Sequence, residues 1–139
     1  MSHLDALQTT LAAEHAAVFV VGFLGAQTSQ SGSPALYAAF RDALEAHLAR
    51  RDDLVGRVRD AGGDPVAAAP SYELPDVSPD DPASLSAAGV ALERACGATY
   101  GFLVASAPPE QRRWAVEAVL DSALRELDLG GDPRAFPGR

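Results

Sequence analysis

Twenty residues in the middle of the chain, GGDPVAAAPSYELPDVSPDD from Gly62 to Asp81, constrain its fold more than any other stretch. With Pro82 just beyond, they carry five prolines, and no apolar period of two or of 3.6 runs through them. Helical patterns lie on both sides. The spacing predicts helices over about Ser2–Gln27, Pro34–Ala61, Pro82–Ala107 and Pro109–Leu129. Each break is punctuated: Ser/Gly and Pro34, then Gly62-Gly63, then Pro108-Pro109, then Gly130-Gly131. Asp80 or Asp81 is placed to cap the third helix, and the tail DPRAFPGR reads as a loosely packed turn.

Short connections make the first two helices antiparallel neighbours, and likewise the last two. The middle connection differs in kind. A helix of about 28 residues is about 42 Å long, and 18 to 20 residues of extended Pro-rich chain reach about 60 Å. The stretch from about 62 to 81 can therefore run the length of the bundle. Short, long, short is the connectivity of an all-α, ferritin-like four-helix bundle with one long crossover between helices 2 and 3, with an up-down bundle and a loose middle loop as the competing arrangement. A length of 139 residues fits one such domain, residues 1–139. The Ala/Leu-rich, β-branched-poor composition favours helix throughout.

Each helix carries polar residues where the apolar seam runs. On the first, the stripe Leu4, Leu7, Leu11, Glu14, Val18, Val21, Gly25 puts Glu14 inside and His15 on its flank. On the second, Tyr37, Phe40, Leu44, His47, Arg51, Leu54, Val58 puts His47 and Arg51 inside. The third has Leu85, Gly89, Leu92, Cys96, Thr99, Leu103 with Glu93 and Tyr100 on an adjacent line, and Cys96 reads as a small buried hydrophobe. On the fourth, Val116, Leu120, Ala123, Leu124 and Leu127 are predicted to face the core, with Arg113 and Glu117 at its border.

These positions predict a buried layer or ligand pocket of Glu14, His47, Arg51 and Glu93, with Glu117 near it. Buried charges persist only when paired, hydrogen-bonded or metal-bound. A carboxylate-bridged di-metal centre takes lone glutamates from two helices and Glu-x-x-His pairs from the other two. Those pairs are missing: Leu44 stands three residues before His47, and the fourth helix has no histidine. The remaining ligand set for iron or manganese is Glu14, His47 and Glu93. Arg51 is expected instead to bridge the carboxylates without any cofactor, since a guanidinium keeps its charge and offers five donors.

A net charge of −8, with 11 arginines and no lysine, argues against nucleic acid and anionic membranes as partners. The lone Cys96 fits a reducing, cytoplasmic setting. The apolar run AAVFVVGFLGA, only 11 residues after Glu14-His15, reads as a core helix and not a membrane anchor. His15 is expected against the crossover or in solvent, His3 at a mobile terminus, and Tyr72 and Leu74 as pins for the crossover, with Glu73 reaching Arg50 or Arg51. No P-loop, dinucleotide, nucleophile-elbow or zinc motif occurs.

In order, LAAEHAAVFVVGFLGA, HLARRDDL, PSYELP, ALERACGATYGFLVASAPPEQRR and AFPG resemble the actinobacterial ferritin-like domain proteins of unknown function, over residues 4 to 138. That resemblance implies a ferritin-like bundle, a cytosolic protein and no established activity. The chain departs from metal-binding ferritin relatives at both Glu-x-x-His positions, which argues against iron storage and oxidase chemistry. Three classes follow: a non-catalytic binding or structural protein with an unidentified small-molecule ligand, a metal-dependent redox protein, and a homodimer joined through small residues around Ala12, Ala16 and Gly22.

Overall fold

The computed structural model describes residues 1–139 and consists of four helices: α1 His3–Gln27, α2 Pro34–Asp60, α3 Pro82–Ser106 and α4 Pro109–Asp128. Local chemistry sets their ends. Ser2 and Asp5 form a reciprocal capping box at the start of α1. Proline opens each of the other three, where its missing N–H costs no helical bond. At Asp81 no side-chain cap forms; instead Ser84 Oγ donates to the Asp81 carbonyl at 2.7 Å. Helices α2 and α4 end in Schellman turns, with Gly62 at φ +84° and Gly130 at φ +94°. The Gly63 and Gly131 amides reach back to the Val58 and Glu126 carbonyls at 3.0 and 2.8 Å.

Two apolar clusters give the helix directions. One gathers Leu7 and Leu11 of α1, Leu54 and Val58 of α2, Tyr100 and Leu103 of α3, and Ala115, Ala118 and Val119 of α4. The other gathers Val21 and Leu24, Phe40 and Ala43, Leu85, and Leu129 just past α4. The start of α1 therefore meets the end of α2, the end of α3 and the start of α4. Consecutive helices α2 and α3 run parallel, so the chain between them must return along the bundle.

It does so on the surface of α1. Gln8 exchanges hydrogen bonds with the Asp64 carbonyl at 2.6 Å and the Val66 amide at 2.9 Å. His15 Nε2 donates to the Val66 carbonyl at 2.9 Å. Further along, Tyr72 lies 5.5 Å from Phe19, and Val77 packs on the second cluster. Leu74 stays largely exposed and Glu73 is solvent-facing, so of the expected pins Tyr72 alone holds. The bundle packs tightly along α1 with α2, α1 with α3, and α3 with α4; α2 touches α4 and α3 only lightly.

Four expectations are corrected. On α4, the leucine stripe faces outward, with Leu120 and Leu124 53% and 61% exposed, while Ala115, Ala118, Val119, Ser122 and Glu126 are buried. Small side chains let α4 approach α3 closely, and its inner polar groups find arginine partners described below. The C-terminal tail is clamped: Gly138 lies on Gly97 and Gly101, and Arg134 bonds the Glu126 carboxylate at 2.7 Å. His3 is held as well, 2.8 Å from Gln111. Finally, α1 is long and apolar enough to cross a membrane by length and composition, an 18-residue window reaching a mean hydropathy of 1.4. Counting only the run after Glu14-His15 understated its length.

A candidate ionic site in the bundle core

Between the two apolar clusters lies a single polar layer. Glu14 sits between Leu11 and Val21 on α1, His47 between Ala43 and Leu54 on α2, and Glu93 between Leu85 and Tyr100 on α3. All three are essentially closed to solvent, at 1%, 0% and 0% exposure. His47 Nδ1 is 2.7 Å from Glu14 Oε2, and its Nε2 is 2.7 Å from Glu93 Oε1. A neutral imidazole has one N–H and would turn a lone pair on one of these carboxylates. Two short contacts to two carboxylates call for an imidazolium that donates twice.

Burial alone would lower the basicity of this ring. The hydrogen bonds and charges of Glu14 and Glu93 outweigh that desolvation and raise the His47 pKa from 6.5 to about 9. Tyr100 completes the layer by donating its hydroxyl to Glu14 Oε1 at 2.7 Å. Burial, with the Glu14 charge close by, pushes this phenol well above its usual range, so it serves as a donor and not as an acid. Cys96 is buried beside the layer and is likewise held as the thiol by desolvation and by the two glutamates.

The buried guanidinium belongs to Arg50, where spacing had placed Arg51. Arg50 lies 3.8 Å from Glu14 Oε1, donates to Ser122 at 3.0 Å, and pairs with Asp121. Its carbon lies 5.3 Å from the centre of the Tyr100 ring. Arg51 instead turns outward and pairs with its neighbour Asp52 at 3.0 Å. The reason is geometric. On a helix, the two positions diverge to opposite sides of the line through His47 and Leu54 by comparable angles. Only one side faces α4, and the gap left between α2 and α4 is wide enough for a long side chain. Glu117 is exposed on the rim of that gap and bonds to nothing in the layer.

Sequence reasoning thus located Glu14, His47 and Glu93, which the structure joins, and missed Arg50, Asp121, Ser122 and the role of Tyr100. Tyr100 follows Glu93 by seven residues, two turns along the same face, which is a usable signal. A third buried carboxylate, Glu126, was also missed; it is held by Arg94 at 3.1 Å and by Arg134. Ala12 is exposed, and Ala16 and Gly22 are half-buried on the face of α1 near the crossover.

Chemically the layer is almost saturated. Both oxygens of Glu14 and both nitrogens of His47 are engaged, and only Glu93 Oε2 lacks a partner. Its two carboxylates face the imidazolium and, at 3.8 Å from Glu14, the guanidinium that Arg50 shares with Asp121. The two nitrogens point away from each other, so the glutamates flank the ring and do not converge with it on one point. For a metal to use this set, His47 would have to surrender one of its bonds and a proton.

No curated protein matches the chain. Among solved structures, it is similar to a conserved hypothetical protein, rv2844, from Mycobacterium tuberculosis. The two are 27% identical with a TM-score of 0.82, over 91% of this chain and 93% of the other. The family described as domain of unknown function (DUF4439) matches residues 6–139, nearly the whole length. The chain belongs to that family.

Proposed function

We propose that this is a cytoplasmic, ferritin-like bundle in which a protonated histidine and an arginine stand where metal-binding relatives of that fold hold cations, and that its role is binding or structural and not catalytic. The observation that carries this reading is the double 2.7 Å engagement of His47 by Glu14 and Glu93. A ring that donates at both nitrogens cannot ligate, and an interior closed to solvent has no route for substrate. The layer then acts as a charged joint between three helices.

The competing reading is an iron- or manganese-binding redox protein using Glu14, His47 and Glu93. One observation favours it: Glu93 Oε2 is buried without a partner, an arrangement that costs free energy unless something meets it. Metal analysis of protein purified without added metal, followed by anaerobic Fe(II) and Mn(II) titration, distinguishes the two. Less than a tenth of an equivalent bound, with an imidazolium still titrating near pH 9 by NMR, is the expected result. About one equivalent or more, abolished by His47→Ala, overturns the metal-free reading.

A further inference from the structure

The outward stripe of α4 is a continuous apolar feature left uncovered by the fold. Val116, Leu120, Leu124 and Leu127 are each 39 to 61% exposed along one line of the helix, and Phe102 of α3, 72% exposed, stands beside them. A groove of about 530 Å³ continues this face between α3 and α4, lined by Gly101, Ala105 and Val119 and walled on one side by Gly138 and Arg139 of the tail. Contiguous apolar faces of this kind mark interaction sites. Meanwhile α4 buries Ser122 and Glu126 toward its own bundle, so its strongest apolar face points away from the core.

The charges at the two ends of the stripe, with exposed Glu117 between them, point to the occupant. Arg113 lies at its N-terminal end and Asp128 at its C-terminal end, both exposed, and neither takes part in an ion pair within the chain. They stand seven residues before and eight after Leu120, about 11 and 12 Å along the axis. A second α4 laid antiparallel, with a two-fold axis at Leu120, sets Leu120 on its own copy and Val116 on the partner's Leu124. Arg113 then crosses the partner's Leu127 and reaches the partner's Asp128, and the same pair forms again on the other half. Both charges lie on the same flank of the stripe, as that symmetry requires. Phe102, beside Leu120, enters the same contact.

We infer that this protein forms a two-fold dimer through antiparallel α4 helices, with Leu120 on the axis and reciprocal Arg113–Asp128 pairs. A partner of uniform negative charge meets Asp128, and one of uniform positive charge meets Arg113; a second copy, reversed, satisfies both. The alternative face on α1 around Ala12 and Gly22 is less suited, because the crossover already lies against its neighbours His15 and Phe19. This inference is independent of whether the core layer holds metal.

Sedimentation equilibrium on the full chain tests it. Wild type is expected to weigh twice the monomer, and Leu120→Asp to be monomeric with unchanged far-UV circular dichroism, its side chain being half exposed. Arg113→Asp and Asp128→Arg singly each place like charges together and are expected to weaken the dimer about tenfold or more. The two combined are expected to restore it, which serves as the test should Leu120→Asp fail to fold. A monomeric wild type up to millimolar concentration overturns the inference. So does a dimer indifferent to Leu120→Asp, a charge swap that does not rescue, or a monomer that floats with anionic or neutral vesicles through this face.

Discussion

At the scale of single residues, the interior rests on which arginine is inside. Arg50 contacts Glu14, Ser122 and Asp121, and Arg51 meets only Asp52 at the surface. Arg50→Met is expected to lower the unfolding free energy by about 2 to 3 kcal/mol, since it strands part of the Glu14 charge and the Ser122 hydroxyl. Arg51→Met is expected to change it by less than about 0.5 kcal/mol, as for other exposed pairs. Glu14→Ala should cost about 3 to 5 kcal/mol, because it leaves His47 and Tyr100 with an unmatched donor each, whereas Glu14→Gln combined with Arg50→Met should cost much less than the sum. Urea denaturation measures all of these. Equal losses for Arg50 and Arg51, or a Glu14→Ala loss below about 1 kcal/mol, would contradict the assignment. Glu14 and His47 were legible in the sequence because each interrupts an apolar line, and Glu93 because it borders one. The choice between Arg50 and Arg51 was not, because helical spacing alone treats the two as near equivalents and the decision belongs to α4.

At the scale of elements, helix ends were legible and helix faces less so. Prolines and glycines mark ends through backbone geometry that needs no neighbour, and every predicted boundary falls within one residue of the observed helix. Faces depend on what lies across from them. On α4 the most apolar stripe is outside and the small-residue face inside, a reversal that no reading of α4 by itself could supply. The tail shows the same dependence. A Cβ on Gly101 would stand 2.7 Å from the Gly138 carbonyl oxygen, while one on Gly22 would meet nothing within 4 Å. Gly101→Ala is therefore expected to lift the tail at a cost of about 1 to 2 kcal/mol, and to speed tryptic cleavage after Arg134. Gly22→Ala is expected to be neutral or to stabilise by up to about 1 kcal/mol through helix propensity. Unchanged cleavage in Gly101→Ala would mean that the tail is not seated in that notch.

At the scale of the whole molecule, the layer makes stability depend on pH in one direction. His47 has a pKa of about 9 in the fold against 6.5 when unfolded, so its protonated form stabilises the native state. That contribution is fully present below about pH 6.5 and lost as pH rises through about 9, amounting to about 3 kcal/mol. The groups facing the ring are Glu14 from α1, Arg50 from α2, and Glu93, Tyr100 and Cys96 from α3, with Asp121 of α4 reaching it through Arg50. Tyr100 stays protonated throughout. Cys96, kept as a thiol by burial, adds to the loss above about pH 8.5, and Cys96→Ala separates its share. Thermal unfolding between pH 6 and 9.5 should show a falling midpoint, and His47→Gln should flatten it; a midpoint that rises over this range would refute the imidazolium.

The long return of the chain along α1 has a consequence for how the molecule comes apart. It joins two helical hairpins that meet tightly where α1 packs on α3 and only lightly where α2 faces α3, so any opening would start on the α2 side. His47 and Glu93 meet across that seam, and the hinge side is already laced to Gln8 and His15. Opening would strand an imidazolium and a carboxylate in the apolar interior before any compensating water could enter. A half-open state is thus disfavoured, and the two hairpins are expected to separate together.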